Sequence, residues 1–230
     1  MSAVTPTGTT SAAERPGVAP RPDARYLRAA RGLAVDTTPV WFMRQAGRAL
    51  PEYRAIRQRA TLLEITRDAA LCAEVTLQPV RRLGVDAAIL FADITTPLAG
   101  LGIEFDIREG IGPVIQRPIR TAADLNRFRP FEPAEAIGPL LDAIGQVRRE
   151  SPVPLIGFAG APFTLACYLI EGGPSRDFVN TKRLMHEQPE TWTGLLDILV
   201  AATVRYLQAQ VAAGAEAVQL FDSWVGGLSP

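Results

Sequence analysis

Residues 154–173 read PLIGFAGAPFTLACYLIEGG, and they give the clearest indication of the fold class. Its first part, residues 154–158, is a short apolar run, which is typical of a strand covered on both faces. Pro162 then begins a predicted helix, which stops at Gly172 and Gly173. A buried strand followed directly by a helix is the repeating unit of α/β proteins with a parallel sheet.

Similar strand and helix signals occur on both sides of this stretch. Apolar runs predict buried strands at residues 40–43, 87–91 and 217–221. A hairpin is expected within residues 103–119, around Gly110 and Gly112. No nucleotide-binding glycine motif follows any predicted strand, which weakens a doubly wound alternative to a barrel. A short amphipathic segment covers residues 26–33, and predicted helices cover residues 51 onward, 69–83, 121–128, 135–149, 175–187 and 189–213.

The composition narrows the possible chemistry. The 24 basic residues balance the 24 acidic ones, so net charge gives no argument for a nucleic acid or membrane partner. Lys182 is the only lysine and lies in a polar stretch, and His186 is the only histidine. A histidine-rich metal site is therefore not available. Cys72 and Cys167 lie in apolar runs and are expected to be buried thiols.

The chain is predicted to form one folded domain behind a tail. Residues 1–22 are rich in Ser, Thr, Ala and Pro, and we expect a disordered tail there and a folded domain over residues 23–230. The tail lacks the pattern of a secretory signal, and no run of 18 apolar residues occurs. These features predict a cytoplasmic protein with no membrane span.

Polar side chains follow each predicted strand, at the edge where active sites of parallel α/β folds gather. Arg44 and Arg48 follow the first strand, and Asp93 follows the second. Tyr168 lies on the helix after the third, and Ser223 comes after the fourth. Two forked guanidinium groups suit carboxylates or phosphates, and a lone carboxylate can stabilise a developing cation.

Each of these residues also has an interpretation that involves no chemistry. The arginines could form a solvated pair, and Asp93 could cap a helix or pair with an arginine. Tyr168 lies among apolar neighbours, which favours core packing on sequence alone. Asp222 and Ser223 could simply begin a turn.

Four segments of the chain resemble the uroporphyrinogen decarboxylase family. Residues 39–53, PVWFMRQAGRALPEY, are similar to its N-terminal signature, and residues 157–173 are similar to its second. Two shorter strand ends, residues 91–94 and 219–224, match as well. The similarity extends from about Tyr26 to the end of the chain.

The resemblance implies a (β/α)8 TIM-type barrel that acts without a cofactor, as a homodimer, in haem biosynthesis. Such an enzyme converts uroporphyrinogen, a tetrapyrrole, into coproporphyrinogen by removing carbon dioxide from four acetate side chains. By this resemblance Asp93 faces the pyrrole nitrogens, and Tyr168 and Ser223 contact the substrate. Substrate carboxylates would be bound by the loop Arg44, Gln45, Ala46, Gly47 and Arg48.

The resemblance also implies that the barrel is incomplete here, with about half of its strands present. His186 matches no substrate-contacting histidine of the family. Two alternatives remain open at this point: an inactive fragment of such an enzyme, and a related corrinoid-dependent methyltransferase barrel. The latter uses zinc held by His and Cys, for which the chain offers only His186, Cys72 and Cys167.

Overall fold

The computed structural model describes residues 21–43, 49–108 and 110–228. Its helices are α1 Arg25–Ala30, α2 Pro51–Arg57, α3 Leu62–Arg67, α4 Ala69–Leu83, α5 Thr96–Gly100, α6 Pro133–Glu150, α7 Pro162–Glu171, α8 Val179–Glu187 and α9 Pro189–Ala213. Its strands are β1 Ala88–Ile89, β2 Phe105–Arg108, β3 Gly112–Ile115, β4 Leu155–Gly160 and β5 Ala217–Phe221. Short 3-10 helices cover Ala122–Arg127 and Val225–Gly227.

The central sheet contains three parallel strands in the order β1-β4-β5. Ile156 of β4 lies opposite both Ile89 of β1 and Ala217 of β5, so the three strands share one register. Every residue of the middle strand, β4, is buried. The predicted α/β class with a parallel sheet is therefore confirmed.

The strand predicted over residues 40–43 is wrong, because none is formed there. The segment runs beside the residues before β1, where the Asp86 amide donates to the Val40 carbonyl oxygen at 2.8 Å. The Val40 amide in turn donates to the Asp86 carboxylate at 2.7 Å. Phe42 and Met43 are 52% and 56% exposed. An apolar run in the sequence does not by itself show whether other elements of the fold will pack over it.

The strand β5 forms at the predicted residues but is not buried. It is an edge strand among the described residues, and Val218 and Leu220 are 47% and 46% exposed. Its side chains alternate between partly buried and exposed because the strand has one covered face. The strand predicted at residues 87–91 is also shorter than expected, although residues 87–90 are buried.

Local end signals place most helices correctly. The Asp68 side chain accepts from the Leu71 amide at the start of α4, and Gly84 ends this helix in the left-handed region, at φ 63°. Gly172 ends α7 in the same way, at φ 87°. The helix predicted from residue 175 begins only at Val179, because the preceding Phe178 adopts a left-handed backbone at φ 51°.

The predicted hairpin is confirmed and packs against the end of α7. Strands β2 and β3 pair antiparallel, with Phe105 opposite Ile115. The Ile115 amide donates to the Gly172 carbonyl oxygen at 2.9 Å, and the Ile119 amide donates to that of Leu169 at 2.9 Å. These bonds satisfy carbonyl groups that the helix terminus leaves open.

Helix α9 crosses the back of the sheet and belongs to its core. It is the one described helix whose length and composition would allow it to cross a membrane. Leu195, Leu199 and Tyr206 are nevertheless fully buried inside the fold. The Gln210 amide group exchanges two hydrogen bonds with the Phe158 backbone, at 2.9 and 3.0 Å, which fixes the helix to β4.

The folded part begins earlier than the composition predicts. Arg21, assigned to the tail, donates to the Val153 carbonyl oxygen at 2.7 Å and to that of Arg148 at 2.9 Å. Its guanidinium group also lies 3.6 Å from the Glu216 carboxylate. The other residues of the predicted tail, apart from Pro22, lie outside the described residues.

Candidate active site

The ends of the three parallel strands are joined by backbone hydrogen bonds. The Gly160 amide, at the end of β4, donates to the Ile94 carbonyl oxygen at 3.4 Å. The Ala161 amide donates to the Phe221 carbonyl oxygen, at the end of β5, at 2.8 Å. The segments that follow β1, β4 and β5 therefore meet at one edge of the sheet.

Gly160 is required at this junction because there is no room for a side chain. A Cβ atom there would lie 2.9 Å from Leu165 Cδ2 and 3.0 Å from the Ile94 carbonyl oxygen. Both distances are shorter than ordinary van der Waals contact.

We expect Gly160→Ala to lower the free energy of unfolding by about 1–3 kcal/mol, the usual cost of overpacking. Urea denaturation measures this change. Gly138→Ala is the matched control, because a Cβ at Gly138 would meet no atom within 4 Å. Equal unfolding midpoints for the two variants would contradict the steric argument.

Asp93 lies in a tight turn between β1 and α5. Its Oδ1 atom accepts from the Thr95 amide at 2.9 Å and from the Thr95 hydroxyl at 2.6 Å. Its own amide donates to Thr96 Oγ1 at 3.2 Å. Among the described residues, Oδ2 accepts no hydrogen bond. One carboxylate oxygen is thus fixed by the turn, and the other is available to a ligand.

Two side chains of α4 fix the backbone that leads into this turn. The Phe91 amide donates to the Thr76 hydroxyl at 3.0 Å, and the Cys72 thiol donates to the Phe91 carbonyl oxygen at 3.2 Å. Burial raises the pKa of the Cys72 thiol to about 12, so the thiol keeps its proton for this bond. Cys72 therefore serves as a buried donor.

The predicted carboxylate-binding residues Arg44, Gln45, Ala46, Gly47 and Arg48 lie outside the described residues. The chain that follows them is anchored close to Asp93. Leu50 and Tyr53 are buried in a small apolar cluster to which Phe91 also belongs. The rings of Tyr53 and Phe91 lie 5.5 Å apart between centroids.

Tyr168 lies near the end of β5, as a buried residue of α7. Its ring centroid is 4.1 Å from that of Trp224, which also contacts the Phe178 ring at 5.2 Å. The Thr164 hydroxyl donates to Asp222 Oδ1 at 2.7 Å and accepts from the Trp224 amide at 3.3 Å. The start of α7 is therefore tied to the segment after β5.

The structure brings some of the predicted site residues together. Ser223 is exposed and precedes Trp224, so it shares a neighbourhood with Tyr168. Asp93 lies at the end of β1, on the other side of β4. The sequence analysis did not identify the residues that hold Asp93 in place. An Asp followed two positions later by a Thr is typical of the turn that Asp93 forms. No local sequence pattern indicates that α4 contributes to holding this turn.

The remaining reactive residues lie apart from this edge or are buried. Lys182 and His186 are exposed on α8. Cys167 is buried, and desolvation raises the pKa of its thiol to about 12. Within the part of the chain that the structure describes, no group of three His, Cys, Asp or Glu side chains could hold a metal ion.

A parallel sheet whose strands alternate with helices defines an α/β protein, and the edge at which its strands end is the candidate site. The sequence model for uroporphyrinogen decarboxylase (URO-D) matches residues 21–230. The chain belongs to the uroporphyrinogen decarboxylase family, which confirms the resemblance.

Two curated relatives illustrate this relationship. A uroporphyrinogen decarboxylase of Thermus thermophilus is 56% identical over 204 residues, which cover 89% of this chain. One of Streptomyces coelicolor is 56% identical over 209 residues, which cover 90%. The chain spans only 60% and 59% of the length of these relatives.

One solved structure supports the fold alone. A methyltransferase from Methanosarcina mazei is similar with a TM-score of 0.62 at 24% sequence identity. The match covers 84% of this chain and 56% of that one.

Proposed function

We propose that the protein removes carbon dioxide from the four acetate side chains of uroporphyrinogen and releases coproporphyrinogen, in haem biosynthesis. The observation that carries the proposal is Asp93, held at the strand-end edge of a chain that belongs to this family over residues 21–230. The complete protein would be a (β/α)8 TIM-type barrel, a homodimer of the cytoplasm that needs no cofactor.

The electrostatic part of the proposal depends on the unused oxygen of Asp93. With Oδ1 fixed by Thr95, the carboxylate has a set orientation before the substrate arrives. Its Oδ2 atom would accept the pyrrole N–H groups at the centre of the macrocycle. Groups fixed in advance stabilise charge well, because they need not reorganise during the reaction.

The acidic arms of the substrate require positive charge near the same edge. Arg44 and Arg48, with the intervening Gln45, Ala46 and Gly47, would bind substrate carboxylates. The burial of Leu50 and Tyr53 against Phe91 supports this assignment, because it anchors the end of that loop to a residue that lies two positions before Asp93 in the chain.

The reaction needs an electron sink, because the loss of carbon dioxide leaves the electron pair of the broken C–C bond on the substrate. Protonation of a pyrrole carbon gives a cationic ring, and cleavage of the acetate C–C bond then sends an electron pair into that ring. A second proton converts the exocyclic carbon into a methyl group, and the first proton leaves the ring. Asp93 would stabilise the cation throughout, so no cofactor is required as an electron sink.

Two further residues complete the proposed site. Ser223, which is exposed at the end of β5, would contact the substrate directly. The ring of Tyr168 packs on Trp224, which would hold the phenol at the rim of the site. Arginine keeps its proton far above neutral pH, so we assign Arg44 and Arg48 first to the binding of carboxylates and assign the proton donor to no residue.

We expect the full-length protein to convert uroporphyrinogen into coproporphyrinogen in the presence of EDTA and without any added cofactor. Chromatography of the oxidised products would show porphyrins with progressively fewer carboxylates, ending at four. A folded protein that removes no carboxylate would refute the proposal. Activity that appears only with zinc and a corrinoid protein would favour the methyltransferase alternative.

A further inference from the structure

Phe178, the residue before α8, has a backbone conformation that is rare for its residue type. Its φ of 51° and ψ of 41° lie in the left-handed region, and within the described part of the chain it is the one residue other than glycine with a positive φ. A bulky side chain seldom adopts this conformation, because its Cβ atom crowds the following carbonyl oxygen. Such strain persists only where the surrounding structure imposes it, and it is concentrated at functional sites.

Contacts to both the backbone and the ring hold Phe178 in place. Its amide donates to Ser175 Oγ at 3.1 Å, and its carbonyl oxygen accepts from the Lys182 amide at 2.9 Å in α8. The side chain is 6% exposed and lies so close to Gly227 that a Cβ atom there would be 2.9 Å from Phe178 Cδ2. Glycine would adopt the same backbone without strain, so the presence of phenylalanine indicates that the ring is needed here.

The Phe178 ring is connected to a predicted site residue through one neighbour. Its centroid lies 5.2 Å from that of Trp224, and the Trp224 centroid lies 4.1 Å from that of Tyr168. The second distance is shorter than the separation of about 4.5–7 Å that is usual for aromatic pairs, so the Trp224 and Tyr168 rings pack tightly. Because the indole contacts both rings, its position depends on each of them.

Hydrogen bonds join the elements that carry these three rings. Glu171, at the end of α7, accepts from the Thr181 amide and hydroxyl, each at 2.8 Å, which ties the first turn of α8 to α7. The Trp224 amide donates to Thr164 Oγ1 at 3.3 Å, near the start of α7. Phe178 and Trp224 are therefore both fixed relative to the same helix.

We infer that the Phe178 ring holds Trp224 against Tyr168, which makes Phe178 a positioning residue for the Tyr168 phenol. The inference rests on the proposed function, because the contact of Tyr168 with the substrate is part of that proposal. The strained backbone is retained because an ordinary helical conformation at residue 178 would move the ring away from Trp224.

Phe178→Gly and Phe178→Leu test the inference in the full-length protein. Glycine adopts the left-handed backbone without strain, and leucine keeps an apolar side chain, but neither supplies a ring. We expect both variants to lower kcat/KM for uroporphyrinogen by roughly tenfold, since a displacement of about 1 Å in an active site can cost as much as 10²-fold. Normal kcat/KM in Phe178→Gly would overturn the inference, because the backbone conformation alone would then be sufficient.

A double-mutant cycle with Tyr168→Phe identifies the route. If Phe178 acts through the Tyr168 phenol, Phe178→Leu should lower kcat/KM no further in the Tyr168→Phe background. Losses in kcat/KM that multiply would mean that the two residues act independently, and the inference would be wrong.

A signal from the Tyr168 ring provides a readout that does not depend on activity. In protein labelled with fluorotyrosine, the fluorine NMR resonance of Tyr168 is identified by its absence from Tyr168→Phe. We expect one sharp resonance in the unmodified protein and a broadened or divided one in Phe178→Leu, because the ring then samples several orientations. An unchanged resonance would contradict the inference. If the unmodified protein shows no decarboxylation, the proposed function fails, and this resonance still decides whether Phe178 positions Tyr168.

Phe131→Leu is the matched control. Phe131 is 3% exposed, so the substitution removes a similarly buried ring, but its aromatic neighbour is Tyr206, at 6.1 Å between centroids. We expect this variant to leave both kcat/KM and the Tyr168 resonance unchanged. Equal effects of Phe131→Leu and Phe178→Leu would indicate a general loosening of the core and would also overturn the inference.

Discussion

Asp93→Asn should lower kcat by about 10² to 10³, the usual cost of removing one preorganised electrostatic group. The asparagine keeps an oxygen at Oδ1, so it can still accept from the Thr95 amide and hydroxyl. The turn should therefore persist while the negative charge is lost. Steady-state kinetics with uroporphyrinogen in the full-length protein measure the effect.

The comparison with Asp93→Ala separates charge from structure. Alanine removes both the charge and the two hydrogen bonds from Thr95. We therefore expect it to lower kcat at least as much as asparagine, and to lower the free energy of unfolding by about 1 kcal/mol for each lost bond. Near-normal turnover in Asp93→Asn would remove the carboxylate charge from the mechanism.

Glu216→Gln should destabilise the fold by about 3–5 kcal/mol, because it removes the negative charge that lies between two largely buried cations. The Glu216 carboxylate lies 3.6 Å from Arg21 and 3.4 Å from Arg148, and the three side chains are only 12%, 18% and 13% exposed. It also accepts from the Leu155 amide at 3.3 Å. Urea denaturation measures the loss.

A surface ion pair provides the control for this prediction. Glu132 and Arg205 lie 2.8 Å apart, but their side chains are 50% and 45% exposed. Because solvent screens such a pair, Glu132→Gln should lower the free energy of unfolding by less than about 1 kcal/mol. If both variants lost a similar amount of unfolding free energy, burial would not determine the strength of the ion pairs that Glu216 forms with Arg21 and Arg148.

The stretch from β4 to α7 could be predicted because several local signals agree. An apolar run, Pro162 and Gly172 each fix one boundary of an element, and none depends on distant residues. Residues 40–43 carry a similar apolar signal but form no strand. Their exposure depends on which elements lie beside them, which no local pattern encodes.

The candidate site was predictable only in its outline. Asp93 could be selected because a polar residue after a buried strand lies at the active-site edge of a parallel sheet. The groups that hold the backbone leading into its turn are contributed by α4, which contacts Phe91 from 15 and 19 positions earlier in the chain. Cys72 resembles an ordinary core residue in the sequence, and only the packing of α4 against the strand end shows that its thiol donates to the Phe91 carbonyl oxygen.

The most direct test of the account is a crystal structure of the full-length protein with coproporphyrinogen bound. We predict that Asp93 Oδ2 lies about 2.7–3.2 Å from pyrrole nitrogens of the macrocycle, the normal range for N–H donors. The propionate groups should contact Arg44 and Arg48. A tetrapyrrole whose nitrogens face away from Asp93, or one bound at another edge of the sheet, would contradict the account.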